Sequence, residues 1–279
     1  MPAPFQLVEL GPGRGTLMAD VLRATAKVPG FADAAEVHLV ETSPALRRVQ
    51  RAAISRKMTH HDTIETVPDG PIFLIANEFF DALPVRQFVR DGDGWRERVV
   101  GMTDQALAFG LTDRTASNRL SHRLEDTKDG DLVETSSLAD GIAETLGVRI
   151  AAHGGAALII DYGDWRSLGD TLQAVRAHAK ADPLDAPGTC DLTCHVDFEA
   201  LVRAAAGARA TRLTPQGVFL ERLGIAARAE ALAKALSGAA LQSHIAAHRR
   251  LTHPGEMGTL FKVIGLYPEG SAPPPGLET

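Results

Sequence analysis

Cysteine is nearly absent from this chain, which has two, Cys190 and Cys194, in 279 residues. Without a second cysteine pair they cannot make a four-ligand structural zinc site, although His195 follows directly; they read as reduced thiols. His60 and His61 lack the i, i+4 spacing of a helical metal site, so no metal is expected. Long apolar runs are missing as well. Stretches such as Ala156 to Ile160 are far too short to cross a bilayer, and Met1-Pro2-Ala3 lacks the basic start and apolar run of a secretory signal. The resulting expectation is a cytoplasmic protein if the source is bacterial, and a mitochondrial matrix protein only if it is eukaryotic. With a formal net charge of −6 and no dense Lys/Arg stripe, the nonspecific attraction to phosphate that supports nucleic-acid binding is lacking. No G-x-x-x-x-G-K-[ST] occurs, which excludes a P-loop, and no internal repeat is present.

What the chain does have is enough apolar sequence, 44% of residues, to bury a substantial core. It also has the run Gly11-Pro12-Gly13-Arg14-Gly15, entered from the apolar stretch Phe5 to Leu10 and left into a helical pattern. A strand that turns into a helix through glycines lets the backbone approach a ligand closely, and the helix start offers N–H groups to an anionic group. The dinucleotide fingerprint G-x-G-x-x-G fails by one residue, because the third glycine is Gly15, which disfavours a nicotinamide-dependent oxidoreductase. The spacing is G-x-G-x-G, with Glu9 two residues ahead and Glu41 thirty residues after Gly11. It resembles the first motif of class I S-adenosylmethionine methyltransferases.

Short apolar runs at Gln6 to Leu10, Glu36 to Glu41, Met58 to His61, Ile72 to Ala76 and Ala156 to Asp161 alternate with amphipathic stretches. The pattern predicts an α/β fold: a doubly wound, mostly parallel, Rossmann-like sheet with helices on both faces. Leu17, Val21 and Leu22 mark one side of the first helix; Ser43-Pro44 caps the next, which runs through Leu46, Val49, Ala53 and Ile54. After Pro84, alternation around Asp91-Gly92-Asp93-Gly94 predicts an inserted antiparallel hairpin or meander. The expected organisation is a first part of the cofactor domain over 1–84, an insertion over 85–135, the remainder with a helical substrate-side region over 136–268, and a flexible tail over 269–279. Residues 112–135 read as loop with some helix, and 182–198 as a long loop of the kind that forms lids.

Carboxyl ends of parallel strands share one rim, where open α/β sheets bind ligands. There the chain places Glu41, suited to the cis hydroxyls of a ribose, and Asp62-Thr63, with Asp62 suited to an adenine amino group. Asn77-Glu78-Phe79-Phe80-Asp81 sets two carboxylates and an amide beside aromatic rings, a match for the flat donor fork of a guanidinium. Asp161-Tyr162 closes the rim. His195 is a candidate for orienting substrate or acting as a base, or simply for fixing its loop.

The segments Glu9 to Met18, Ala76 to Pro84, Leu158 to Gly163, Asp191 to Phe198 and Met257 to Val263 together are similar to the MidA-like family of class I methyltransferases. That family includes a mitochondrial protein-arginine methyltransferase that assists assembly of respiratory complex I. The resemblance implies S-adenosyl-L-methionine as cofactor, held by Glu9, Gly11, Pro12, Gly13, Arg14, Gly15, Glu41, Asp62, Thr63 and Asn77. It implies a protein arginine as methyl acceptor, on a partner such as a respiratory-complex subunit, with Glu78, Asp81, Asn77 and His195 on the catalytic side. A homodimer is left open. Family members carry a segment ahead of the glycine motif that covers the cofactor, whereas this sequence reaches its first strand within a few residues. An exposed apolar patch is therefore expected, and a catalytically weak or inactive methyltransferase-like scaffold is the alternative reading.

Overall fold

Branched and apolar residues concentrate in β1 (Phe5–Leu10), β2 (Ala35–Val40) and β4 (Ile72–Asn77), while β3 (Met58–His61), at the sheet edge, is more polar. The computed structural model describes residues 3–104, 106–177 and 179–278. Between these strands run α1 (Thr16–Thr25), the short α2 (Phe31–Ala34) and α3 (Pro44–Ala53). Ser43 caps α3 by accepting the Leu46 N–H at 3.3 Å, with Pro44 in the first turn where its missing donor costs nothing. The phase of α3 differs from the apolar spacing: Gln50 is its buried residue and Ile54 the buried residue just beyond it, while Val49 is exposed.

The chain divides into two compact units, one made of Met1–Phe80, Gly141–Tyr162 and Leu201–Thr279, the other of Asp81–Asp140 and Gly163–Ala200. In the first unit, β1 pairs in parallel with both β2 and β4, β2 with β3, and β4 with β9 (Gly155–Asp164), which follows α4 (Ser137–His153). The order reverses between β1 and β4, so their carboxyl ends flank the switch point where doubly wound sheets take ligands. Leu7, Met18, Val37, Leu39 and Ile54 pack the core on one face.

The second unit holds an antiparallel sheet in the order β7 (Leu107–Leu111), β6 (Gly94–Met102), β5 (Arg86–Asp91), β8 (Leu132–Thr135), around buried Trp95, Leu120 and Val133. The hairpin turn falls at Gly92-Asp93, as the sequence indicates. Three short strands missing from the sequence reading form a second sheet: β10 (Gln173–Arg176), β11 (Ala179–Ala181) and β12 (Asp191–Thr193). Runs of three or four residues are too brief to show a period, so the segment reads as loop. Two-residue β13 (Val196–Asp197) then precedes α5 (Phe198–Ala204).

Back in the first unit, β14 (Arg209–Ala210) and β15 (Thr214–Pro215) pair with β16 (Phe261–Tyr267), which runs antiparallel to β9. The helical region consists of α6 (Gln216–Arg222), α7 (Ile225–Ala233) and α8 (Gly238–Thr252), with short α9 (Met257–Leu260) before β16. The tail is not frayed. Leu277 is buried with Phe219 and Val263, and the Glu278 carbonyl accepts the Arg212 N–H at 2.8 Å. A proline-rich composition hides that anchor. An apolar cavity of about 550 Å³ lies between this tail and the strands, lined by Leu7, Phe73, Ile75, Leu158 and Tyr267. Phe73 beside it is 46% exposed on a central strand, a position that parallel sheets usually cover. Among the described residues no helix is long and apolar enough to cross a membrane.

Candidate cofactor and acceptor site

The turn after β1 is built by three left-handed glycines, Gly11, Gly13 and Gly15. Only glycine adopts this conformation without strain. A Cβ added at Gly11 would lie 2.7 Å from the Phe79 ring, so the protein itself fills that side. A Cβ added at Gly13 would meet nothing within 4 Å, which leaves main chain bare. Gly15 starts α1 and no side chain caps it; Pro12 is buried and Arg14 is exposed.

Glu9 lies near the end of β1 and is buried, its carboxyl accepting the Met18 N–H while Oε2 has no partner. Burial pushes its pKa up to about 7. A buried acid with an orphaned oxygen is matched by a cationic ligand group such as an ammonium. Glu41, just past β2, is half-buried; Oε1 accepts the Ser43 N–H at 2.8 Å and Oε2 an Nε2–H of Gln50 at 3.3 Å. Gln50 also donates to the Gly13 carbonyl at 2.7 Å. Arg47, on the same helix, donates to the Glu41 carbonyl at 2.6 Å, the His61 carbonyl at 2.9 Å and Asp62 Oδ1 at 2.7 Å. Asp62 is thus an exposed carboxylate anchored by a guanidinium. The Thr63 hydroxyl is engaged with Glu65, which holds that carboxylate below its ordinary range.

At the end of β4, Asn77 donates to Glu78 Oε1 at 3.3 Å. Glu78 is exposed and left-handed, with φ 51°, a conformation that costs a non-glycine residue about 1–2 kcal/mol. Asp161 holds the turn in place. Fully buried at the rim end of β9, it accepts the Phe79 and Phe80 N–H groups through Oδ2 at 3.2 and 3.0 Å and the Tyr162 N–H through Oδ1 at 3.0 Å. Because Phe79 packs on Gly11, the Glu78 turn and the glycine turn touch.

The remaining two candidates belong to the second unit. Asp81 is buried, and its carbonyl accepts the Cys194 N–H at 2.9 Å. His195 is half-buried, with its N–H donating to Thr171 Oγ1 at 2.8 Å. Burial, reinforced by Glu134, Asp170 and Asp81, pushes the Cys194 thiol up to about 12, so it stays protonated. Both cysteines are free, and among the described residues no group of three or more His, Cys, Asp or Glu side chains is placed to hold a metal.

Gln50, Arg47 and the tying role of Asp161 escape sequence reading. Asp161 is visible as a rim acid, but its three main-chain partners are not.

The doubly wound sheet with a glycine turn at its switch point has the architecture of the class I methyltransferases. Residues 1–216 match the family described as "Putative S-adenosyl-L-methionine-dependent methyltransferase". The mitochondrial protein arginine methyltransferase NDUFAF7 of Xenopus laevis is 36% identical over 298 residues, covering 96% of this chain and 68% of that protein. The human protein of the same name is 35% identical, covering 95% and 66%. A crystal structure from Burkholderia thailandensis bound to S-adenosyl-homocysteine superposes with a TM-score of 0.79 at 28% identity, over 96% of this chain and 73% of that one. The chain belongs to this methyltransferase family. S-adenosylmethionine is its cofactor and methyl transfer its reaction.

Proposed function

We propose that the acceptor is an arginine side chain of a partner protein and that Glu78 receives its guanidinium. The observation that carries this reading is the packing of Phe79 against Gly11, which joins the glycine turn to the turn that bears the exposed, strained Glu78. Strain of this kind persists where surrounding structure over-determines it, and the three Asp161 hydrogen bonds supply that. The name protein arginine methyltransferase, carried by relatives 34–36% identical, supports the guanidinium over other nitrogen acceptors.

In this reading Glu9 takes the ammonium of the methionine part, the open side of Gly13 and the uncapped start of α1 take its backbone-like atoms and carboxylate, and Glu41 takes the ribose hydroxyls. Asp62 and Thr63 border the base. The cofactor supplies an activated methyl group on a sulfonium. Glu78, oriented by Asn77, would hold the guanidinium with one nitrogen turned to the methyl group, and positioning of this sort accounts for most of the rate in a displacement. The N–C bond would form as the S–C bond breaks, S-adenosylhomocysteine would leave and the nitrogen's proton would pass to solvent. Asp81 and His195 remain acceptor-side candidates in the second unit. The partner is proposed to be a respiratory-complex subunit, met in the cytoplasm of a bacterium or the matrix of a mitochondrion.

The test is incubation with tritiated S-adenosylmethionine and a protein extract from cells lacking this gene, followed by acid hydrolysis and amino-acid analysis. Label in methylarginine is the expected result, lost in Glu78→Ala while that variant still binds S-adenosylhomocysteine. Label in another residue, or unchanged transfer by Glu78→Ala, contradicts the acceptor assignment. No transfer to any protein favours the scaffold reading.

A further inference from the structure

Gln50 is the one buried residue within α3, at 0% exposure, and it is polar. A helix that packs its inward face on a sheet ordinarily buries apolar side chains there, and a buried amide is retained only with its hydrogen bonds made. Its donors reach the Gly13 carbonyl at 2.7 Å and Glu41 Oε2 at 3.3 Å, and its Oε1 lies 2.8 Å from His60 Nε2. The Gly13 carbonyl can only accept, so the amide nitrogen faces the turn, the amide oxygen faces His60, and His60 carries its proton on Nε2. Gln50 Cγ would also stand 3.3 Å from a Cβ at Gly15. One side chain thus joins the turn after β1, the carboxylate after β2 and the end of β3.

We propose that Gln50 is a positioning residue for the cofactor: it fixes the Gly13 peptide and the Glu41 carboxylate in the relative placement that the methionine part and the ribose require, with His60 holding the amide's orientation. This rests on the reading of the glycine turn and Glu41 as cofactor groups. The substitution Gln50→Leu keeps the volume but takes the Gln50 donor from the Gly13 carbonyl and from Glu41 Oε2, leaving the carboxylate held through Oε1 by the Ser43 N–H. Gln50→Glu sets a carboxylate against both a carbonyl oxygen and Glu41, a like-charge contact.

The experiment is titration calorimetry of the full chain with S-adenosylhomocysteine and with its 2′-deoxy analogue, alongside thermal melts. The expected result is binding by the unsubstituted chain, affinity about tenfold lower in Gln50→Leu, and a larger loss in Gln50→Glu. The Gln50→Leu penalty should shrink for the deoxy analogue and in a Glu41→Ala background, which a residue serving only stability would not produce. If Gln50→Leu does not fold, His60→Ala at its half-exposed site carries the test, with a smaller loss in the same direction. Equal penalties for both ligands, or affinity unchanged in the folded variants, overturn the proposal alone. Absence of binding by the unsubstituted chain overturns the cofactor placement beneath it.

Discussion

At Gly11 an added Cβ would lie 2.7 Å from Phe79, whereas at Gly13, two residues on in the same left-handed turn, it would meet nothing within 4 Å. One glycine is required by the protein's own packing and the other borders space that the protein leaves open. Four residues before Gly13, near the end of β1, Glu9 is a buried acid with an unpartnered oxygen, a feature that the proposed cofactor ammonium would complete. The contrast separates residues that shape the site from those that face its contents.

The largest expected effect comes from filling the open side. Gly13→Val should lower affinity for S-adenosylhomocysteine by at least about a hundredfold, lost approach surface adding to a left-handed strain of about 1–2 kcal/mol; calorimetry measures it, and undiminished binding would erase the distinction between the two glycines. Gly11→Ala should act on the fold instead. Overpacking against Phe79 should reduce the melting temperature by roughly 5 °C, and Phe79→Leu in the same chain should restore part of it. A smaller effect is expected at Glu9. With its pKa near 7 in the unligated chain, its ionised fraction and its attraction for an ammonium rise between about pH 6 and 8. Affinity should rise with pH over that range, and Glu9→Gln should flatten the profile.

The smallest effect lies away from the turn. Buried His38 bonds His61 at 2.8 Å through its Nδ1, and burial brings its pKa down from 6.5 to about 4. His60 and His61 are lowered by burial as well. Neutral histidines contribute stability that is present above pH 6.5 and lost as pH falls toward 4, because the unfolded chain binds the protons first. Glu9, raised from 4.5, works in the opposite direction, its contribution fading as pH rises toward 7. The melting temperature should fall below pH 6.5, and His38→Phe should show a shallower slope.

The parallel strands, the Ser43-Pro44 cap, the hairpin turn and the rim acids were legible because each is a local signal, a period or a residue at a strand end. Gln50 was not, since the apolar spacing of α3 points to Val49, which is exposed, and only the three-dimensional partners of Gln50 explain its burial. Asp161 illustrates the same limit: its position follows from the end of β9, but its hold on Phe79 and Phe80 spans about eighty residues of sequence. The strands β10 to β12 and the anchored tail were hidden by brevity and by proline.

A crystal structure of the chain with S-adenosylhomocysteine tests the placement of the cofactor most directly. The expected result is the ligand's methionine part against the main chain at Gly13, its ammonium at Glu9 and its ribose at Glu41. Ligand bound elsewhere, or Gly13 covered by the protein's own side chains in its presence, would contradict it.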